Sequence, residues 1–214
     1  LQHTIPQLLR WRVNETGDKV ALREKDFGRW NSYTWNHYYD AVRKTGLGLK
    51  EIGFGKGDKV AIISDNIPET LYVAIGAQAV GGFSSAIYQT SLPQEIGDII
   101  NYLDVKVVFC NDQEQVDKVA EVREKIPQVR KLIYEDPRGM RNYRSDDWFL
   151  FIEDLYTLGE QLHADNPELF ESLVDEGKPD DVCHFCLTSG TTGLPKGAML
   201  THRNYINMGL QLTE

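Results

Sequence analysis

The chain has 214 residues, 41% of them hydrophobic and 26% charged, a balance that supports a packed core and excludes intrinsic disorder and fibrous repeats. Its 23 basic and 32 acidic side chains sum to −9, so the surface as a whole gives no footing for sequence-independent capture of nucleic acid. Three cysteines, Cys110, Cys183 and Cys186, are too few to staple a chain of this size and point to a reducing, cytoplasmic compartment.

No basic stretch leading into an apolar run opens the chain, and Leu1 in place of Met suggests a trimmed or processed start. Arg10 and Arg12, like Arg138, Arg141 and Arg144 further on, read as solvated surface. Thr34 is placed to cap a helix whose apolar-face positions Tyr38, Val42, Thr45, Leu49 and Ile52 recur at helical spacing, with Gly53 as its stop. Gly53-Phe54-Gly55-Lys56-Gly57 leads into a strand instead of leaving one, which makes it a connecting turn and not a dinucleotide fingerprint. Lys59 to Ser64 is a short β-branched strand.

Asn66 with Glu69 reads as a capping pair, Pro68 suits the first turn, and Leu71 to Val80 is apolar on nearly every side, as in a buried helix. The uncharged run from Leu71 to Tyr88 has the length of a membrane span, but Gln78, Gly81-Gly82 and Ser84-Ser85 divide it into that helix and a strand, Phe83 to Ile87. Ser91 and Gln94 form the next capping pair, ahead of Leu92, Ile96, Ile99, Ile100 and Leu103 at helical spacing. Val105 to Cys110 is a strand, Asn111 and Glu114 open a helix carrying Val116, Val119, Ala120 and Ile126 and stopped by Pro127, and Lys131 to Tyr134 is a strand again. Such alternation predicts an α/β fold, a mainly parallel sheet covered by helices.

Ser145 to Asp181 holds twelve carboxylates and one base, Lys178, which leaves 22 basic and 20 acidic residues, or +2, for the rest. Trp148, Ile152, Leu155 and Leu162 are in phase, so the acidic stretch reads as a helix with a solvated face; metal binding there would call for loop carboxylates and a turn glycine. Cys183-His184-Phe185-Cys186 falls on a strand, where residues three apart face opposite ways, so packing is preferred to redox or zinc chemistry.

That strand, Val182 to Leu187, runs into Thr188-Ser189-Gly190-Thr191-Thr192-Gly193-Leu194-Pro195-Lys196-Gly197. With glycine at about 7% of residues, three at these spacings arise by chance about 3 times in 10⁴ starting points. Glycines let backbone N–H groups approach an anion closely, the hydroxyls of Thr188, Ser189, Thr191 and Thr192 add donors, and Lys196 adds a mobile positive charge. The run is thus a candidate polyphosphate cradle. It is not a Walker A loop, because Pro195 and Gly197 stand where that loop needs its second glycine and its hydroxyl. His202 lies where the chain enters a helix after the cradle, with a site-lining role and a capping role both open. His3, His37, His163 and His184 show no partner pattern.

Thr188 to Gly197 resembles the phosphate-binding loop of the AMP-forming adenylating enzymes, the superfamily of acyl-CoA synthetases, luciferases and nonribosomal-peptide adenylation domains. Gly57 to Ile62, Asn66-Ile67-Pro68-Glu69, Tyr88-Gln89-Thr90 and Thr201-His202-Arg203-Asn204 resemble the family too, and the wording is most similar to long-chain fatty-acyl-CoA synthetases, bubblegum-type members included. Ile67 and Thr70 depart from the arginine and tryptophan often found around the Pro-Glu pair. The resemblance implies that residues 1–214 are a partial N-terminal AMP-binding domain with its ATP-phosphate loop at 188–197. In that loop Thr188, Ser189, Gly190, Thr191, Thr192, Gly193, Pro195, Lys196 and Gly197 would contact the nucleotide.

The resemblance further implies ATP and Mg²⁺ as cofactors, CoA as co-substrate and a long-chain fatty acid as the acid adenylated, with an adenylating enzyme for another acid or acceptor, or a non-catalytic nucleotide-binding fragment, as the alternatives. The rest of the large domain, the C-terminal lid domain and the catalytic lysine are expected outside these residues, so this stretch alone is expected to have weak or no ligase activity. Its expected partners are small molecules and not nucleic acid; peripheral contact with a membrane stays open for a lipid substrate, although no segment reads as an anchor.

Overall fold

The computed structural model describes residues 3–188 and 196–211. The chain opens with helix α1 (Ile5–Thr16), a hairpin of β1 (Val20–Asp26) and β2 (Arg29–Thr34), and helix α2 (Trp35–Glu51). Strand and helix then alternate through β3 (Lys59–Ile63), α3 (Pro68–Ala79), β4 (Phe83–Ala86), α4 (Pro93–Leu103), β5 (Val107–Cys110), α5 (Gln113–Glu121) and β6 (Lys131–Tyr134). After β7 (Phe149–Phe151) come α6 (Ile152–Asp165) and α7 (Leu169–Glu176), then β8 (Val182–Thr188), β9 (Lys196–Thr201) and α8 (His202–Gln211). Among the described residues seven strands form one sheet in the order β7-β6-β5-β3-β4-β8-β9, parallel except where β9 runs antiparallel to β8.

The central strands β3, β5 and β6 are buried on both faces, which is why they read as unbroken apolar runs. Val60, Ile62, Val107, Phe109 and Ile133 pack on one side with Val73 and Ala77 of α3. Ala61, Ile63, Val108, Cys110 and Leu132 pack on the other with Ile96 and Ile100 of α4 and Val116 and Val119 of α5. The chain steps from β3 to β4 in one direction across the sheet, then passes back beyond β3 to β5. A reversal of direction requires a change of face if both crossovers are right-handed, and α3 and α4 do lie on opposite faces.

Outside α3 a further helical layer is built from α1, α2 and α7, with Leu9, Val42, Leu47, Tyr72 and Phe170 in its core. Helices α2 and α6 approach backbone to backbone: a Cβ on Gly159 would run into the Lys44 carbonyl oxygen, and one on Gly48 into that of Leu155. The acidic stretch is helical with a solvated face, as its pattern predicts, and basic side chains bridge it to the earlier helices. Lys44 Nζ lies 2.8 Å from Glu160 and Arg10 2.8 Å from Glu171.

Several local expectations need correction. The caps of α3 and α4 are Ile67 and Leu92, not Asn66 and Ser91, because Pro68 and Pro93 occupy the first helical position and hold the preceding residue extended. Leu92 N–H is still satisfied, donating to Glu95 Oε2 at 2.9 Å. Asp112, not Asn111, caps α5, its carboxylate accepting from Gln115 N–H at 3.1 Å, and the helix ends at Glu121, so Ile126 and Pro127 lie beyond it, after a 3-10 turn at Arg123–Lys125. Trp148 lies ahead of the acidic helix; the pairing of Leu132 with Phe149 turns the next residues into β7, and the Trp148 indole donates to the Val129 carbonyl at 2.9 Å. The uncharged run from Leu71 to Tyr88 is divided between α3 and β4, and no helix among the described residues is long and apolar enough to cross a membrane.

The α2–α6 contact yields a stability test. Gly159→Ala is expected to lower the urea unfolding free energy by about 1–3 kcal/mol through overpacking. Gly209→Ala on α8, where a Cβ meets nothing within 4 Å, is expected to leave it unchanged or raise it by about 0.5–1 kcal/mol.

Candidate active site

Strand β8 is fixed by polar contacts that its neighbours provide. Ser85 Oγ donates to the Phe185 carbonyl at 3.0 Å, Gln78 Nε2 donates to the Cys183 carbonyl at 3.1 Å, and Ser84 Oγ lies 3.0 Å from His184 Nδ1. Burial holds the His184 imidazole below its ordinary pKa. Cys183 is buried and Cys186 exposed, so the two thiols point to opposite faces of the strand, as the spacing predicts. Burial pushes the Cys183 thiol up to about 12, which leaves it protonated and inert at neutral pH.

At its C-terminal end β8 pairs with β9 in a register that sets Thr188 opposite Lys196 and Leu187 opposite Gly197. Thr188 Oγ1 donates to the Lys196 carbonyl at 3.1 Å, closing the pair, and the Lys196 side chain is exposed. Gly197 lies against the ring of Phe185, where a Cβ would enter the ring itself, so a glycine is required there for packing. Thr188, Lys196 and Gly197 are therefore brought together across one antiparallel step. Ser189, Gly190, Thr191, Thr192, Gly193 and Pro195 lie outside the described residues.

The β3–β5 boundary, where the sheet reverses its winding and open α/β sheets bind ligands, lies two strands inward of β8; this step stands instead at the carboxyl ends of β4 and β8. A cleft of about 270 Å³ opens there, lined by Ser64 after β3, Tyr88 and Gln89 after β4, and His184, Cys186 and Leu187 of β8. Tyr88 is 76% exposed, and Lys118 Nζ anchors the adjacent turn by donating to the Gln89 carbonyl at 2.7 Å.

A second and larger cleft, about 790 Å³, lies between the β1–β2 hairpin and the ends of β3, β5 and β6, with Glu24, Asp65, Glu69, Asp112, Glu135 and Asp136 on its walls. Burial, then repulsion from Glu69 and Asp136, raises the Glu135 carboxyl to about 7, and burial raises Glu69 as well. Sequence reasoning misses this cleft, because its carboxylates come from separate elements; the one local signal is the Glu135-Asp136 pair directly after β6.

His202 is buried and does not line the cleft beside Thr188. Its Nδ1 accepts from Ile5 N–H at 3.1 Å, so it caps α1 from far along the chain. Burial lowers its pKa from 6.5 to about 4, partly opposed by Asp181. The unfolded chain therefore binds a proton that the folded one refuses, and the stability this contact supplies is complete above about 6.5 and lost as pH falls toward 4. His202→Asn, which keeps an acceptor for Ile5 but cannot titrate, is expected to flatten the fall in urea midpoint between pH 7 and pH 4.5.

A family model described as "AMP-binding enzyme" matches residues 9–214. The chain is 30% identical over 203 residues to the long-chain-fatty-acid–CoA ligase ACSBG2 of Xenopus laevis, covering 94% of this chain and 26% of that protein. With ACSBG1 of Rattus norvegicus it shares 29% identity over 207 residues, 95% of this chain and 28% of that protein. The chain thus spans about a quarter of the length of these curated relatives. Among solved structures, the anthranilate CoA ligase AuaEII in complex with anthranoyl-AMP superposes with a TM-score of 0.81 at 19% identity, over 98% of this chain and 37% of that one. A Mycobacterium tuberculosis fatty acyl CoA synthetase gives 0.69 at 20% identity, over 93% and 34%. These superpositions match the mainly parallel, helix-covered sheet to the N-terminal parts of adenylating enzymes.

Proposed function

As this chain belongs to the AMP-binding enzyme family, we propose that it is the ATP-binding N-terminal portion of a long-chain fatty acid–CoA ligase. The observation that carries this reading is the run Thr188 to Gly197, a strand end followed by glycines, hydroxyls and a lysine, with Thr188 and Lys196 paired across β8 and β9 at the carboxyl end of β8. The curated relatives named above supply the acid: both are long-chain-fatty-acid–CoA ligases.

In the proposed reaction a carboxylate oxygen attacks the α-phosphorus of ATP, the bond to the bridging oxygen breaks, and pyrophosphate leaves. The thiol of CoA then attacks the acyl carbonyl carbon, giving up its proton, and AMP departs with the bonding pair. The first step brings two anions together. Lys196 and the N–H and hydroxyl donors of Ser189 to Thr192 would hold the β- and γ-phosphates, lowering the repulsion felt by the carboxylate and stabilising the departing pyrophosphate. Mg²⁺ would add charge neutralisation to the phosphates, but the run carries no carboxylate to hold it, so the run fits the phosphates and not the metal. The catalytic lysine, the lid domain and the acyl tunnel belong, in this reading, to parts of the whole protein beyond these residues. The whole protein works in the cytoplasm on small molecules, with the fatty acid delivered at a membrane surface.

The test is ATP–pyrophosphate exchange by the full open reading frame, with acetate, benzoate, an amino acid and a long-chain fatty acid compared. Exchange is expected with the long-chain acid alone; exchange only with another acid would retain the adenylating chemistry and overturn the lipid assignment, and exchange with none would overturn both. Lys196→Ala is expected to lower kcat/KM for ATP by about 10- to 100-fold, the loss of one hydrogen bond to a charged oxygen at about 1.5–3 kcal/mol. An unchanged value would remove Lys196 from the cradle.

A further inference from the structure

Among the described residues the β1–β2 hairpin is a sheet of its own, so no strand ladder fixes its height above the seven-stranded sheet. Its attachment lies at the base. There Trp35 N–H donates to the Lys19 carbonyl at 3.1 Å and Asn36 N–H to that of Gly17 at 2.9 Å, and Ala21 and Leu22 pack into the helical layer. The opposite end stands over the acidic cleft, where Phe27 lines the mouth with Pro137 and Arg138. Phe27 is 88% exposed, so little apolar burial holds the tip down and electrostatics can decide its position.

Six carboxylates line this cleft among the described residues, against the cation of Arg138, which itself donates to Asp136 Oδ2 at 2.7 Å. They divide between hairpin and body. Glu24 belongs to β1 and accepts from Tyr33 Oη of β2 at 2.9 Å; burial, then the bond to Glu24, pushes that phenol up to about 12, so it stays a neutral donor. Facing them from the body are Asp65 after β3, Glu69 of α3, Asp112 after β5, and Glu135 and Asp136 after β6. Bringing the two sets together removes water from like charges, and a carboxyl that takes up a proton relieves both costs. Glu135 is placed to do so: it is half-buried, with Glu69, Asp136 and Glu24 repelling its charge and Arg138 offsetting part of that repulsion.

We propose that the β1–β2 hairpin is a pH-dependent lid, lowered over the cleft while Glu135 is protonated and lifted by repulsion from Glu24 once Glu135 is ionised. The lowered arrangement raises the Glu135 carboxyl from 4.5 to about 7, through burial first and then its acidic neighbours. A group raised on closure stabilises it in full below 4.5, and that stabilisation is lost as pH rises through 7. With Glu135 returned to its ordinary value in the lifted state, the ratio of lowered to lifted hairpin falls about tenfold between pH 6 and pH 8. Access to this end of the sheet therefore widens across the neutral range.

The test needs neither ATP nor an acid, so its outcome is separate from that of the ligase reading. A trifluoromethyl-phenylalanine in place of Phe27, in the product of the full open reading frame, would be followed by fluorine NMR from pH 5.5 to pH 8.5. Two environments are expected, their ratio changing about tenfold between pH 6 and pH 8, with no such change in Glu135→Gln. Glu24→Gln, which removes the hairpin's share of the repulsion, is expected to move the transition to lower pH. His37, whose imidazole lies 5.0 Å from the Tyr33 ring, is the control: His37→Gln is expected to leave the transition in place. Glu135→Gln is expected to match or exceed the native urea midpoint at pH 8, so a lost transition cannot be assigned to unfolding. An unchanging signal, a transition that survives Glu135→Gln, one unmoved by Glu24→Gln, or one abolished by His37→Gln would each overturn the proposal.

Discussion

The structure depends on one constraint: β3 must be covered on both faces. Its residues alternate between the two cores, Val60 and Ile62 to one side and Ala61 and Ile63 to the other, and nearly all of this surface is buried. A strand so placed can only be central, with β4 on one flank and β5 on the other, and its helices must divide between the faces. The reversal of winding that follows leaves a gap at the carboxyl ends of β3 and β5, and the acidic cleft is therefore a product of how the sheet is wound and not of any single residue.

Placement of the glycine and hydroxyl run follows from the same frame. β8 joins the sheet through only two paired positions on β4, Ser84 with His184 and Ser85 with Phe185, supplemented by the side-chain bonds of Ser85 and Gln78. The Ser85 hydroxyl and the Gln78 amide nitrogen are buried and hydrogen-bonded inside an apolar sheet, which fixes strand position more tightly than apolar contact would. From there the Phe185 ring against Gly197 sets how closely β9 approaches, and the Thr188–Lys196 pair lies at the end of that ladder. Packing of Phe185 on Gly197 thus determines where the lysine side chain begins.

Much of this was legible in the residues themselves, for identifiable reasons. Lys131 to Tyr134 is read with its observed bounds, and the phases of α2 and α4 emerge from spacing because each buries one strong stripe. Caps are misplaced by one residue at α3 and α4 since hydroxyl and amide side chains draw attention from the prolines, whose fixed φ decides the boundary. Helix α1 goes unread although Thr4 and Gln7 form a capping box with Pro6 inside it, a signal of the same kind used elsewhere. The β1–β2 hairpin is largely polar and exposed, and β9 is an exposed edge strand, so neither shows the apolar alternation that marks a strand. The acidic cleft escapes because it is assembled from elements distant in sequence; of the two roles left open for His202 the capping one is found, at α1 through Ile5.

The hairpin, the acidic cleft and the cleft between the ends of β4 and β8 lie along the carboxyl edge of the sheet where ligand chemistry is expected, and the central part falls to the run from Thr188 to Gly197. Amide hydrogen exchange on the full open reading frame, with and without Mg·ATP, tests that assignment most directly. The account predicts slowed exchange in the peptide covering 188–197, where backbone N–H groups would bond phosphate oxygens, and unchanged exchange in the glycine turn at 53–57. Slowing at other segments with 188–197 unaffected would contradict it.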